Sequence, residues 1–131
     1  MLAESPAFAG FSTDDVEKAR EFYSGTLGLQ TTDEMGGMLR LHLGGGGSVI
    51  VYPKDDHRAA SFTVLNFPVP DIDTTVDALV AAGVEMERYP GFEADARGIV
   101  RPPKPEYGPP IAWFKAPAGN VIAVMEESTP G

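Results

Sequence analysis

The feature that most constrains this chain is that its two halves read alike. Phe11-Ser12-Thr13-Asp14-Asp15-Val16-Glu17 and Phe67-Pro68-Val69-Pro70-Asp71-Ile72-Asp73 carry Phe, Asp and a β-branched residue in one order, and Phe67 stands 56 positions after Phe11. Each segment reads as the end of a strand turning into a helix. Asp14 or Asp15 in the first, and Asp71 in the second, can accept from the free N–H groups of a first helical turn and complement its dipole. Val16, Ala19, Tyr23 and Leu27 then recur at helical spacing, as do Ile72, Val76, Leu79 and Val80, so each helix has one apolar stripe to bury. Gly28 and Gly83 supply the left-handed residue that closes a helix. Later, Gly46–Val51 and Gly119–Val124 each place a glycine-led turn before a strand.

The halves differ in one place. Between the second pair of motifs the offset rises to 73, and the surplus is a connector from about Pro90 to Pro110 that holds six of the chain's twelve prolines. Each half is therefore expected to run strand, helix, three strands: Ala7–Ser12, Val16–Leu27, Gln30–Glu34, Gly37–Leu43 and Val49–Tyr52, then Phe62–Val69, Thr74–Ala82, Glu85–Tyr89, Ile111–Lys115 and Val121–Glu126. With 131 residues, 43% of them hydrophobic, one core is affordable and a single domain is expected. Repeat one covers about 7–53, a linker about 54–61, and repeat two about 62–126, with the proline-rich loop at 90–110. The predicted fold class is α+β, two βαβββ repeats forming a curled mixed sheet around one cleft with the helices outside. Such a concave, mostly apolar hollow favours a small-molecule ligand over a purely structural role.

Composition removes several alternatives. Without cysteine there is no disulfide framework, thiolate metal site or thiol nucleophile. Nineteen acidic against ten basic residues give a net charge of −9, which repels a phosphate backbone, so no nucleic-acid partner is expected. The segment Met1–Pro6 has neither a basic nor an apolar stretch, and no apolar run is long enough to cross a bilayer; a cytoplasmic protein without membrane contact is the expectation.

Two stretches carry a family resemblance. Asp15-Val16-Glu17-Lys18-Ala19-Arg20-Glu21-Phe22-Tyr23 with Leu27-Gly28-Leu29, inside a βαβββ duplication, resembles the first half of vicinal-oxygen-chelate proteins, the superfamily of glyoxalases, bleomycin-resistance proteins and extradiol dioxygenases. Ala112-Trp113-Phe114-Lys115-Ala116-Pro117-Ala118-Gly119-Asn120-Val121-Ile122 resembles that superfamily's terminal hairpin, with Ala116 and Ala118 where aspartates are usual. The resemblance spans roughly Phe8 to Glu126. It implies the fold already read from the duplication and a homodimer, and it leaves activity open, since one fold hosts many.

In metal-dependent members of the superfamily a divalent ion is held by His, Gln or Glu at equivalent places in both halves. Counting back from Asp15 and Asp71 puts these on Phe8 and Val64; the later strands put them on Ile50 and Ala123. All four side chains are hydrocarbon, and none offers the oxygen or imidazole such an ion requires. No metal and no cofactor are expected, and His42 and His57 with Asp55 and Asp56 do not make a ligand spacing. His57 reads as part of a solvated hairpin or inter-repeat linker.

Strand alternation assigns the cleft. Phe8, Ser12, Ser48, Ile50 and Tyr52 share a face in the first half; Phe62, Val64, Asn66, Ala123 and Met125 share one in the second. Trp113 is either a stacking wall for a planar ligand or a packing residue beneath the helices or at a dimer seam. The connector, with Arg101 and Tyr107, is either a lid or a surface ornament. Arg40 or Arg101 is available to an anionic ligand; solvated arginine is the plainer alternative. The leading expectation is a protein that binds a small, partly apolar organic molecule without metal. The alternatives are a metal-free lyase or isomerase in which His42, Tyr52 or Glu106 transfers a proton, and a degenerate member serving protein–protein contact.

Overall fold

The structure, a computed structural model, describes residues 1–127. It divides into two compact units, residues 1–59 and those from residue 60 onward. The first contains β1 (Ala9–Thr13), α1 (Val16–Arg20), β2 (Gln30–Glu34), β3 (Met38–His42) and β4 (Ser48–Pro53). The second contains β5 (Thr63–Val69), α2 (Ile72–Ala81), β6 (Met86–Glu87), β7 (Ile111–Lys115) and β8 (Val121–Glu126). Strand pairing stays within each unit, so the expected mixed sheet is two four-stranded sheets, ordered β1-β4-β3-β2 and β5-β8-β7-β6. In each, the first strand pairs parallel to the last and the remaining pairs are antiparallel. The duplication seen in sequence is a duplication of topology.

Local chemistry explains the repeated start. Asp15 accepts from the Lys18 N–H at 3.1 Å and Asp71 from the Thr74 N–H at 3.2 Å, so the cap is Asp15 rather than its exposed neighbour Asp14. Gly28 and Gly83 take φ of +75° and +92° after the helices, a region that costs side-chain-bearing residues about 1–2 kcal/mol. The first helix departs from a regular α-helix after Arg20. Residues Glu21–Thr26 form a wider turn in which the Leu27 N–H donates to the Phe22 carbonyl and Leu29 N–H to Tyr23. Ser24, Gly25 and Thr26 are weak helix formers, and they stand where the regular ladder is abandoned.

Each sheet buries one face under its own helix. In the first unit Phe11, Leu39, Leu41, Val49 and Val51 are buried on the face that receives Ala19 and Tyr23. In the second, Leu65, Ala112, Phe114, Ile122 and Val124 oppose Ile72, Val76 and Leu79. Val80, read from periodicity as part of that stripe, is 52% exposed. It follows Leu79 by one residue, about 100° around the helix, and turns away from the sheet. The other face of each sheet, which its helix does not cover, carries Ile50 in the first unit and Val121 and Ala123 in the second as buried residues among more exposed ones.

Candidate ligand-binding site

On the open face of the first sheet the ladder sets Ser12 opposite Tyr52, Gly10 and Arg40 opposite Ile50, and His42 opposite Ser48. Strand parity thus placed Ser12, Ser48, Ile50 and Tyr52 on one face. The Tyr52 ring lies beside Gly10, where a Cβ would be in ordinary contact with the ring at 3.7 Å and tight, at 3.3 Å, against the Ile50 carbonyl oxygen. Arg40 is committed within this face. Its Nε donates to Glu34 at 2.7 Å, its Nη1 to Ser48 Oγ at 2.6 Å, and its guanidinium lies 5.1 Å from the centroid of Phe8. Phe8 itself precedes β1 and is exposed.

The proton-transfer candidates are dispersed. His42 Nε2 is 2.9 Å from Thr32 Oγ1. Tyr52 lies four residues along β4 from Ser48, the ladder partner of His42, which is roughly 13 Å at strand rise. Glu106 is exposed in the turn Pro105–Tyr107. The residue that sequence reading passed over is His57. Instead of standing in a solvated linker it is half-buried, with Nδ1 2.6 Å from Ser12 Oγ. The turn that returns it is closed by its own N–H donating to Lys54 and by the Lys54 N–H donating to Thr13.

The second sheet's open face is bordered by the connector. Trp113 and Asn66 flank Ala123, and Ile111 and Pro68 flank Met125. Trp113 therefore lies on the face away from α2, not beneath it. Tyr89 meets its ring edge-on at 5.5 Å between centroids and Phe92 at 5.3 Å. Phe62 precedes β5 and is exposed, and Val64 sits at a register shift between Thr63 and Leu65, so alternation from Asn66 does not carry through to them.

Facing Trp113, Ile111 and Met125, the connector borders an open hollow of about 810 Å³, with Phe92, Pro102 and Tyr107 on its side. The connector is not loose. Val100 bridges both Ala94 and Ile111, and Ile99 is fully buried. Asp95 accepts from the backbone N–H of Arg97 at 2.9 Å and of Ile99 at 3.0 Å. Desolvation works against its ionised form, but these two N–H groups and the charges of Arg101 and Arg97 prevail and hold the carboxyl below its usual range. Arg101 donates to Asp73 at 2.7 Å; Arg97 donates to Asp77 at 2.8 Å and also to Asp73. Arg101 is thus a tether between connector and α2. Tyr107 is the more exposed wall, with Lys104 5.9 Å from its ring centroid.

Residues 7–124 match the Glyoxalase/Bleomycin resistance protein/Dioxygenase superfamily. The chain belongs to it. No curated protein matches the sequence. Among solved structures, TnmS3, an antibiotic binding protein from a Streptomyces species, is 26% identical over 98% of this chain and 100% of its own, with a TM-score of 0.69. The fosfomycin resistance protein FosX from Listeria monocytogenes is 11% identical, covering 93% of this chain and 92% of its own, with a TM-score of 0.71. A lactoylglutathione lyase from Agrobacterium tumefaciens is 19% identical over 95% of each chain, with a TM-score of 0.68. The latter two likenesses bear on fold alone.

Metal-binding members of the superfamily set a fit test for this one. The places that counting along the sequence assigns to such ligands hold Phe8, Ile50, Val64 and Ala123, of which Ile50 and Ala123 are buried hydrocarbon. These residues do not fit an ion, because none can donate a lone pair. Among the described residues no group of three His, Asp or Glu side chains is placed to hold one, and no helix is long and apolar enough to cross a membrane.

Proposed function

We propose that this superfamily member is a metal-independent binding protein for a small, partly apolar organic molecule with a flat ring system. One observation carries the reading: Trp113, flanked by Tyr89 and Phe92, faces a connector-walled hollow of a size that suits a drug-like ligand. The likeness to an antibiotic binding protein over the whole chain supports it, as does the hydrocarbon character of the superfamily's ligand positions. A cytoplasmic homodimer with no nucleic-acid partner completes the proposal. Acridone, a neutral fused-ring probe, is expected to quench Trp113 saturably and raise the melting temperature, equally with and without EDTA. At a hundred times its Kd it would add about 2.7 kcal/mol of stability. Trp113→Ala is expected to abolish that stabilisation. Stabilisation by a transition ion alone, with no response to acridone or other flat rings, would refute the proposal.

The Ser12–His57 contact favours a second reading, a metal-free lyase or isomerase in which this pair moves a proton. Turnover that survives chelator and is lost in both Ser12→Ala and His57→Gln would establish it over pure sequestration.

A further inference from the structure

The two aromatic neighbours of Trp113 are held unequally. Tyr89 is half-buried, with its hydroxyl closed off from solvent. Phe92 is 55% exposed, yet its ring rests on Trp113 at 5.3 Å between centroids, tilted by 56°. Its N–H donates to the Tyr89 carbonyl at 3.3 Å, long for such a bond. The backbone here is a short tip on a fixed base. Arg88 donates to the carbonyls of Asp95 and Ala96, each at 2.8 Å, and Ala94 bridges Val100, so the segment is clamped on either side of Phe92. Within the tip, Gly91 has φ of +88°, and a Cβ there would meet nothing within 4 Å. Rotation at Gly91 carries Phe92 off Trp113 and leaves the base in place, as hinge positions in loops do.

We infer that Phe92 is the specificity-determining residue of the ring site: it covers Trp113 against single rings and yields, about Gly91, to a fused ring system. The physical reason is a difference in what is exchanged. A tilted ring pair corresponds to roughly a twofold to tenfold factor in affinity. A ligand of one ring replaces Phe92 like for like and gains little. Three fused rings cover Trp113 and also reach Ile111, which borders the same hollow two residues along β7, roughly 7 Å away on the same face. Met125, the ladder partner of Ile111, extends that apolar floor. This inference rests on the proposed binding role and adds the size of the ligand's ring system and the residue that selects it.

Acridone, with three fused rings, and benzamide, with one, test it. Trp113 is the only tryptophan, so its quenching by acridone reports occupancy of the ring site, and benzamide is scored by whether it relieves that quenching. In the wild type, benzamide in hundredfold excess is expected to leave acridone bound. In Phe92→Ala, acridone is expected to bind about fivefold more tightly, the ring contact no longer having to be broken, and benzamide to displace it. Phe92→Leu, which keeps an apolar side chain but no ring, is expected to move both affinities the same way by less. Acridone binding that is weaker or unchanged in both variants, or benzamide displacing acridone from the wild type, would overturn the selecting role of Phe92 and leave the ring site standing. Failure of acridone to quench Trp113 in the wild type and both variants would overturn the ring site and this inference with it.

Discussion

Gly98→Ala tests whether the connector is a built wall of the hollow. Gly98 has φ of +86°, and a Cβ there would stand 3.1 Å from Met86 Cβ and 3.7 Å from the Glu87 carbonyl oxygen. Its N–H closes a turn by donating to Asp95 at 3.0 Å, so the backbone cannot relax without opening that turn. Left-handed backbone with a side chain costs about 1–2 kcal/mol. The crowding adds to it, because Met86 and Glu87 are the whole of β6 and are themselves paired with Phe114 and Trp113. A total of about 2 kcal/mol corresponds to a melting temperature lower by roughly 6–10 °C in a chain of this size. The same displacement moves the partner of Trp113 and the turn that holds Asp95, so acridone affinity is expected to fall as well. Thermal melts followed by circular dichroism, paired with Trp113 quenching, provide both numbers. Gly45→Ala is the control: Gly45 has no positive φ and a Cβ there meets nothing within 4 Å, so it is expected to lie within about 0.5 kcal/mol of the wild type. If Gly98→Ala melts and binds like Gly45→Ala, the connector is an ornament, not a wall.

Two further perturbations probe single groups. The Tyr23 hydroxyl is buried with no hydrogen-bond partner among the described residues, and burial pushes its ionisation up; Tyr23→Phe removes that desolvation cost and is expected to raise stability by about 1 kcal/mol in urea unfolding, whereas a loss of that size would show that the hydroxyl is bonded. Folding lowers the pKa of Asp95, so its carboxylate stabilises the fold above about pH 4 and that contribution disappears as pH falls through the folded value. The stability gap between wild type and Asp95→Asn is therefore expected to be full at pH 7 and to shrink toward pH 3; a gap independent of pH would refute the assignment.

Most of the frame was legible because it is written twice. One of Asp14 and Asp15, and Asp71, as caps, Gly28 and Gly83 as stops, and strands alternating from Ile111 and Val121 each follow from local chemistry that a neighbour in sequence supplies. The misreadings have equally local causes. Helical periodicity cannot register the widened turn after Arg20, since an inserted residue shifts the stripe by only a fraction of a turn. Alternation breaks at Val64 because a register shift in β5 is invisible to counting by twos. His57 looked solvated because charged neighbours surround it, and only the return of the chain past Thr13 brings it to Ser12.

The candidate site was less legible for a reason that bears on function. Aligning the halves rewards what they share, and what they share is scaffold: strands, caps and a buried face. One side of the Trp113 hollow is built from what they do not share, the segment after β6 that only the second half possesses. A reading of that segment by itself had one usable signal, the Pro90-Gly91 turn, which folds Phe92 back toward Tyr89 while the pairing of Glu87 with Trp113 brings β7 alongside. Since a repeated unit can bury its own core without the insertion, the insertion is free to vary at little cost to the fold. Ligand choice in this chain is then expected to reside in residues 88–110 and to change when they are exchanged, while stability follows the repeated strands.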